Sequence, residues 1–345
     1  MILVFVMAGA IYGLGAYFKA PKAQRWALIG VLFAAVIGVL LVFPQSHPLR
    51  VALGGSPAPY FLLGGFAALA FGYRLLLVGL KRKAQAKTPS APMPTGRFSE
   101  SELDRYARHI TLREIGGPGQ KKLKQAKVLV IGAGGLGSPV LQYLAAAGVG
   151  EIGVIDDDVV DNANLHRQVI HRDEDIGLPK VFSAQAAMIA QNPHVLVRPY
   201  QRRLNAQFAQ DLFAEYDLIL DGTDNFETRY LVNKTAAALG KPLVSGALSQ
   251  WEGQLSVFDP ANGAPCYQCI FPEAPSPELA PSCAEAGVIG PLPGVIGAMM
   301  AQEAIKVITG AGTVLRGEMV IYDGLFGETR KMTLKRRADC PVCSS

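Results

Sequence analysis

The sequence predicts an α/β domain with a parallel sheet, preceded by helices that cross a membrane. Three observations lead to this fold class. A glycine-rich turn at residues 132–137 follows a short apolar run, four cysteines form two widely separated Cys-x-x-Cys pairs, and the first 80 residues contain three long apolar runs. A chain of 345 residues is long enough for a membrane part and one large domain with a full core.

Charge divides the chain at the same place. Residues 1–97 contain ten Lys or Arg and no Asp or Glu, and because the whole chain has 33 basic and 28 acidic residues, the remainder has 23 against 28. A domain that binds nucleic acid is expected to carry a basic face. The composition of the large domain therefore argues against nucleic acid as its partner.

The three apolar runs are each close to the length of about 20 residues that crosses a bilayer as a helix. They span residues 1–18, 26–43 and 60–80. Basic residues lie between the first two runs and after the third, whereas Arg50 is the one Lys or Arg in the connection 43–59. The positive-inside rule then predicts three transmembrane helices within residues 1–80, in a multi-pass protein of the inner (cytoplasmic) membrane whose large domain is cytoplasmic.

A cleaved signal peptide is the alternative interpretation of the first run. Small residues at 8–10 favour it, but no positively charged region precedes the apolar stretch. Residues 81–97 contain three prolines and show no apolar periodicity, so they are predicted to form a flexible basic linker. The large domain is then expected to span residues 98–345.

Elements of the large domain follow in a recognisable order. An amphipathic helix that contains Tyr106, Ile110 and Leu112 is predicted from residue 99. The segments 127–131, 152–155 and 217–221 are predicted strands, and 139–147 is a predicted helix. Strand, glycine turn, helix, strand and acid is the order of a Rossmann-like nucleotide-binding fold.

The glycine turn would present backbone amides to a phosphate at the start of the following helix. Asp156, at the end of the second strand, is placed to bind a ribose hydroxyl. An NAD-dependent dehydrogenase would share these features, but Arg167 and Lys180 suit a triphosphate better than a nicotinamide. The string DGTDN at 221–225 supplies an acid where Mg²⁺ would assist nucleotidyl transfer.

The two cysteine pairs, Cys266 with Cys269 and Cys340 with Cys343, predict a tetrahedral structural zinc site. Two disulfides are the alternative, which the expected reducing compartment disfavours. Cys283 is the fifth cysteine and follows a proline-rich loop. It is either a catalytic thiol or a partly exposed cysteine without a chemical role.

Nine short strings of the large domain occur in a fixed order over about 240 residues. They are RYARHI at 105–110, GAGGLG at 132–137, NLHRQ at 164–168, PK at 179–180, DGTDN at 221–225, EGQ at 252–254, CYQC at 266–269, CAEAG at 283–287 and CPVC at 340–343. In these strings the chain resembles the bacterial MoeB/ThiF adenylyltransferases, which are relatives of the ubiquitin-activating E1 enzymes.

This resemblance implies the Rossmann-like E1/ThiF nucleotide-binding fold and ATP-dependent adenylation of the Gly-Gly C-terminus of a ubiquitin-like sulfur carrier. The molybdopterin-synthase carrier is the first expectation, and the thiamine-pathway carrier is the alternative. A homodimer is implied as well. Because no rhodanese domain follows residue 343, the sulfur donor is expected to be a separate protein.

The resemblance also implies roles for individual residues. The expected nucleotide-binding residues are Gly132, Gly134, Gly135, Gly137, Asp156, Asn164, Arg167, Lys180, Asp224 and Asn225. The expected catalytic residues are Arg108, Arg167, Lys180, Asp224 and Cys283. Among them, Asp224 would bind Mg²⁺, and Arg108 would reach across the homodimer into the neighbouring ATP site.

Two further functional classes follow from the same features. One is a membrane scaffold that binds a ubiquitin-like protein without chemistry, and the other is an NAD-dependent redox enzyme. The trio Arg108, Lys180 and Asp224 argues against both classes, because neither requires all three side chains.

Overall fold

The computed structural model describes residues 2–18, 20–86, 97–275 and 286–344. The chain divides into two compact units, Met1–Ser90 and Ala91–Ser345. The first unit is helical, and the second combines helices with a single sheet.

The first unit consists of α1 (Ile2–Tyr17), α2 (Lys22–Val42), α3 (Pro48–Ala52) and α4 (Ala58–Ala86). Among the described residues, the stretch Gln24–Val42 is long and apolar enough to cross a membrane, whereas the apolar stretch Leu3–Tyr17 is shorter. Length and composition thus mark one candidate span, and the membrane location and the multi-pass arrangement both stay predictions.

The third apolar run continues as a helix beyond residue 80. Helix α4 ends at Ala86, so helical backbone occupies the first six residues of the segment expected to be a linker. The sequence KRKAQA at 81–86 consists of residues with high helix propensity, so the helix continues beyond the end of its apolar segment. The remainder of that segment up to residue 96 lies outside the described residues.

The second unit begins with α5 (Glu100–Arg105) and α6 (Ala107–Ile110), rather than with one continuous amphipathic helix. The break falls at Tyr106, whose ψ of 8° interrupts the helix. Its ring covers Gly148, where an added Cβ would lie 2.4 Å from the ring, and its hydroxyl accepts a hydrogen bond from Asn192 Nδ2 at 2.7 Å. The helix break therefore coincides with burial of this ring against Gly148 and Asn192.

Eight strands form one mixed sheet in the order β3-β2-β1-β4-β5-β6-β7-β8. They are β1 (Lys127–Ile131), β2 (Glu151–Ile155), β3 (Leu196–Tyr200), β4 (Leu218–Asp221), β5 (Leu243–Leu248), β6 (Glu252–Phe258), β7 (Glu318–Asp323) and β8 (Glu328–Thr333). Strands β1 to β5 are parallel, and β6 to β8 extend the sheet in antiparallel fashion. The predicted α/β class and the three predicted strands are confirmed.

Helices cover both faces of the parallel strands. They are α7 (Gly116–Gln125), α8 (Gly137–Ala147), α9 (Lys180–Gln191), α10 (Ala206–Ala214), α11 (Phe226–Ala238), α12 (Tyr267–Ile270) and α13 (Leu292–Thr309). Successive residues of β1 point to opposite faces. Val128 and Val130 join the core beneath α8, α9 and α13, while Leu129 and Ile131 join the core beneath α10 and α11.

Candidate active site

A cavity of about 530 Å³ lies at the carboxyl ends of β1, β2 and β4. Strand β1 has β2 on one side and β4 on the other, so the chain reverses its direction of travel across the sheet at this point. Ligands of open α/β sheets bind at such a switch point. The lining residues include Gly132, Gly134, Gly135, Asp156, Arg167, Lys180, Asp224 and Asn225, which all belong to the set expected from the sequence.

The glycine turn closes tightly between β1 and α8. Gly132 has a φ of 94° and donates its amide to Ile155 O at 2.9 Å. Gly137 begins α8, and a Cβ added there would lie 2.0 Å from Gly132 O. The positive φ disfavours a side chain at Gly132, and the close approach of Gly132 O excludes one at Gly137. The start of α8 faces the cavity as a result, which gives an anion the amides and the positive end of a helix.

Asp156 braces this turn from the end of β2. Its Oδ2 accepts a hydrogen bond from Ala133 N at 2.7 Å, and its Oδ1 accepts one from Asp158 N at 2.8 Å. Burial raises the pKa of Asp156 above its usual value, although the charge of Lys180 and the two amides oppose the rise. Each carboxylate oxygen has a second lone pair, so Asp156 can hold the turn and still accept a hydroxyl of a ligand.

Two cations approach the cavity from the same region. Arg167 lines it and donates from Nη2 to Asn164 Oδ1 at 2.6 Å. Asn164 itself is not among the described lining residues, so in this structure it holds Arg167 instead of facing the cavity. Lys180, the first residue of α9, is 4% exposed, and its Nζ lies 2.8 Å from Asp158 Oδ2.

The loop after β4 contributes the acidic side of the cavity. Asp224 is exposed and forms no ion pair within the part of the chain that the structure describes. Asn225 also lines the cavity, but its Oδ1 accepts Thr228 N at 2.9 Å and so caps α11. Asp224 therefore has carboxylate oxygens free for a cation or a ligand.

Two of the expected catalytic residues are not among the described lining residues. Arg108 lies on α6, is exposed and is absent from the described lining of its own cavity. Cys283 lies outside the described residues. The other three, Arg167, Lys180 and Asp224, are brought together.

The four remaining cysteines are buried together as free thiols. The Sγ–Sγ distances are 3.5 Å for Cys266 and Cys340, 3.4 Å for Cys269 and Cys343, and 3.9 Å for Cys266 and Cys269. A disulfide needs about 2.05 Å, whereas Zn–S bonds of about 2.3 Å give a tetrahedron with edges of about 3.8 Å. The spacing thus fits four ligands around one metal ion.

Neighbouring groups support the same interpretation of the cysteine centre. Burial raises the pKa of Cys266 and Cys343, whereas the amides of Val342 and Cys343 bring the pKa of Cys340 down to about 7 against the same effect of burial. Asn233 is buried beside Cys266, and its Nδ2 donates a hydrogen bond to no oxygen or nitrogen atom among the described residues. A metal-bound thiolate at Cys266 would be an acceptor for that amide. The residues present therefore fit a zinc ion.

Several lining residues were missed by the sequence analysis. They are Gln168, Arg202, Arg203, Thr223, Arg229 and Tyr267. Arg202 and Arg203 follow the carboxyl end of β3, so the rule that located Asp156 would have found them. Arg229 and Tyr267 lack such a signal, because each lies in a helix that only the fold brings to the cavity.

Comparison with known proteins identifies relatives of the second unit. A model of the "ThiF family" matches residues 106–342. The "Sulfur carrier protein adenylyltransferase" of Thermus thermophilus is 51% identical over 251 residues, which is 72% of this chain and 93% of that protein. The "SAMP-activating enzyme E1" of Haloferax volcanii is 46% identical over 70% of this chain and 89% of that protein.

A third relative is longer than this chain. The "Probable adenylyltransferase/sulfurtransferase MoeZ" of Mycobacterium tuberculosis is 49% identical over 73% of this chain, and the match spans 65% of its own length. Among solved structures, E. coli MccB with ATP has a TM-score of 0.62 at 24% identity, covering 71% of this chain and 75% of that one. This likeness supports the α/β fold.

Proposed function

The chain belongs to the ThiF family, and from this membership we propose that it adenylates the C-terminal glycine of a ubiquitin-like sulfur-carrier protein. It is an adenylyltransferase, with ATP as the source of the transferred AMP. The observation that carries the proposal is the cavity at the switch point, because it combines a phosphate-binding turn, two cations and an exposed carboxylate. Neither a scaffold nor a hydride-transfer site needs that combination.

In the proposed reaction, a carboxylate oxygen of the carrier attacks the α-phosphorus of ATP. The bond between the α-phosphorus and the pyrophosphate oxygen breaks, and pyrophosphate leaves with the electron pair. Two anions must be held close together for this step. The turn amides, Arg167 and Lys180 supply positive charge for that purpose, and Asp156 orients the ribose.

Asp224 is the proposed magnesium ligand. Its carboxylate is exposed to the cavity and lacks an ion-pair partner in the described part of the chain. When bound, Mg²⁺ neutralises phosphate oxygens during nucleotidyl transfer. Asn225 contributes by capping α11 and so holding this loop, while Asn164 contributes by orienting Arg167.

We also propose that the enzyme is a homodimer with a shared site. Arg108 is exposed on α6 and does not line its own cavity among the described residues. A guanidinium presented outward in this way suits a cavity in a second copy. Arg108 would then add a cation to the phosphates of the partner's nucleotide.

For the metal, we propose one structural zinc ion held by Cys266, Cys269, Cys340 and Cys343. The ion would tie the segment near residue 340 to α12, which follows β6. Cys283 is retained as a candidate for thiol chemistry after adenylation, with sulfur delivered by a separate donor protein.

We also propose which sulfur carrier the enzyme adenylates. The molybdopterin-synthase carrier is our first candidate, and the thiamine-pathway carrier is the alternative. Both end in Gly-Gly and would present the same carboxylate to the cavity. Direct comparison of the two carriers in the exchange reaction therefore decides between them.

Membrane attachment through the first unit is a further part of the proposal. Helix α2 exposes Trp26, Val31 and Leu41, each more than 60% accessible, and contact with lipid would cover such side chains. Three transmembrane helices of the inner membrane would fix the second unit on the cytoplasmic side, where ATP and reduced thiols are available.

Exchange of labelled pyrophosphate into ATP tests the chemistry. The full chain in detergent micelles should catalyse exchange only when a carrier ending in Gly-Gly is present. Asp224→Asn should lower the rate at least about 100-fold, because it removes an electrostatic group at the phosphates. Glu328→Gln, at an exposed position on β8, is the matched control and should leave the rate unchanged. Full exchange by Asp224→Asn would contradict the assignment.

A further inference from the structure

Helix α11 carries two buried polar side chains one turn apart, Arg229 and Asn233. They are 5% and 2% exposed. Residues at this spacing lie on the same face of a helix. Arg229 is directed towards the nucleotide cavity, and Asn233 is directed towards the cysteine centre. Helix α11 therefore lies between the nucleotide cavity and the cysteine centre.

Arg229 holds the loop that ends in Asp224. Its Nη2 donates to Thr223 O and, at 2.8 Å, to Gly246 O, while its Nη1 lies 3.8 Å from Asp221 Oδ2. Thr223 directly precedes Asp224. A planar guanidinium with several fixed partners leaves the peptide before Asp224 little freedom.

Asn233 holds the other end of the connection. Its Oδ1 accepts Tyr267 N at 2.8 Å, and its Nδ2 lies beside Cys266. One side chain thus contacts the backbone between the first two cysteines and the thiol of the first. A displacement of Cys266 or Cys269 would therefore be transmitted to α11 through the Asn233 side-chain amide.

Tyr267 completes the connection. It lies between Cys266 and Cys269, is 4% exposed and lines the nucleotide cavity. Arg229 lines the same cavity from α11, which packs against α12, the helix that begins with Tyr267. The ring is fixed by Phe258 at 5.6 Å and Phe271 at 4.8 Å between ring centroids. Its position is therefore set by the cysteine centre on one side, and on the other side it shares the nucleotide cavity with Arg229.

Resting on the proposed function, we infer that Tyr267 and Arg229 are positioning residues through which the cysteine centre fixes Asp224 for Mg-ATP. The metal centre then has a role in nucleotide binding besides its role in stability. Neither side chain reacts with the substrate. Both act through the geometry of the 221–225 loop.

The first test is binding of ATP to the full chain in detergent micelles, titrated with Mg²⁺ by calorimetry. Tyr267→Phe keeps the packed ring and removes the hydroxyl of this cavity-lining side chain. We expect half-saturating Mg²⁺ to rise about fivefold, a size typical of coupling between neighbouring side chains, with one zinc per chain retained. Tyr216→Phe is the control, because that buried hydroxyl faces Tyr200 at 3.0 Å and not the cavity. It should stay within about twofold of the wild type.

The same titration in an Asp224→Asn background separates positioning from general damage. If Tyr267 acts through Asp224, then Tyr267→Phe should add little further effect there, whereas an independent structural effect would add in full. Full additivity, or an unchanged Mg²⁺ requirement in Tyr267→Phe with zinc retained, would overturn the inference and leave the proposed function standing. A wild-type chain that fails to bind Mg-ATP would overturn both.

A second variant tests the connection from the metal side. Asn233→Ala removes the amide that contacts both Tyr267 N and Cys266. We expect faster loss of zinc to a chelator and, at full zinc occupancy, the same rise in half-saturating Mg²⁺ as in Tyr267→Phe. Wild-type Mg²⁺ dependence at full zinc occupancy would contradict the inference.

Discussion

Lys180 Nζ lies 2.8 Å from Asp158 Oδ2, and the two ends of this ion pair differ sharply in exposure. The lysine side chain is 5% exposed and the aspartate side chain 66%. The buried cation is therefore held in the cavity by an acid at its rim. A triphosphate that binds Lys180 must compete with Asp158 for the same ammonium group.

This competition gives the first prediction. Asp158→Asn should tighten ATP binding about two- to fivefold, since an ion pair with an exposed carboxylate is worth little and its loss frees Lys180 for phosphate. Lys180→Ala should instead weaken pyrophosphate exchange at least about 100-fold. Calorimetry and exchange measure the two effects. Lys331→Ala, on the exposed strand β8, is the control. Weaker ATP binding by Asp158→Asn would contradict this account of the pair.

The second prediction concerns the metal. The purified chain should contain one zinc ion, and removing it with a strong chelator should lower the midpoint of thermal unfolding, because the binding energy of a structural metal is folding energy. Cys343→Ser should have the same effect, while Lys335→Ala, at an exposed position five residues before Cys340, should not. Metal analysis and mass spectrometry of the thiols check this. Two native disulfides, or a chain without metal that unfolds at the same temperature, would contradict it.

The third prediction concerns subunit assembly. If Arg108 acts in the partner's site, Arg108→Ala and Asp224→Ala should each abolish exchange, and a mixture should recover part of it. A mixed dimer contains one site with both groups intact, so the yield should approach about a quarter of wild-type activity when half of the dimers are mixed. Differently tagged subunits report the exchange of chains. Mixed dimers that are isolated but inactive would argue against a shared site.

The sequence located the parts of the fold that have a local signature. The apolar run 127–131 and the glycine turn after it correspond to β1 and the start of α8, and Asp156 follows β2 as expected. Strand β8 has no such signature, since all of its residues are exposed and it is defined by pairing with β7. Tyr106 could not be foreseen as a helix break, because its contact with Gly148 is long-range and leaves no mark in the local sequence.

The residues of the candidate site also fall into those with a local sequence signature and those that depend on tertiary packing. Residues at strand ends were predictable, since the carboxyl edge of a parallel sheet is a general binding position. Arg229 and Tyr267 were not, because their proximity comes from packing of α11 against α12. Asn164 shows a third case, in which the motif is recognisable but its side chain is directed to Arg167.

The fourth prediction concerns acid stability. Lys124 Nζ donates to Glu102 Oε1 at 2.7 Å, and both side chains are less than 10% exposed. Burial would raise the pKa of Glu102, but hydrogen bonds from Lys124 and Ser99 lower it below its usual value of 4.5 overall. The stabilisation is therefore present above pH 4.5 and is lost as the pH falls through the lower, folded-state pKa.

Glu102→Gln should accordingly destabilise the domain by about 3 kcal/mol at pH 7, because it leaves a buried ammonium group without its charge partner. The difference from the wild type should shrink as the pH falls below 4.5. Thermal unfolding across this pH range measures it. Glu174→Gln, which removes an exposed ion pair with Arg172, should stay within about 0.5 kcal/mol. A difference that grows on acidification would have the wrong sign for this ion pair.

The fifth prediction concerns membrane topology. Basic residues lie at 19–25 and 81–87, whereas Arg50 is the one Lys or Arg in the connection 43–59. The Arg50 guanidinium donates to Phe43 O at 2.7 Å and to Gly55 O at 3.0 Å, both within that connection. The positive-inside rule then places the connection outside and the large domain in the cytoplasm. A green fluorescent protein joined after Ser345 should fluoresce, since it folds in the cytoplasm. The same protein inserted in the 43–59 connection should not fluoresce, because the connection would be translocated across the membrane. Dark but membrane-inserted fusions at Ser345, together with bright fusions in the connection, would reverse the orientation and remove the large domain from its supply of ATP.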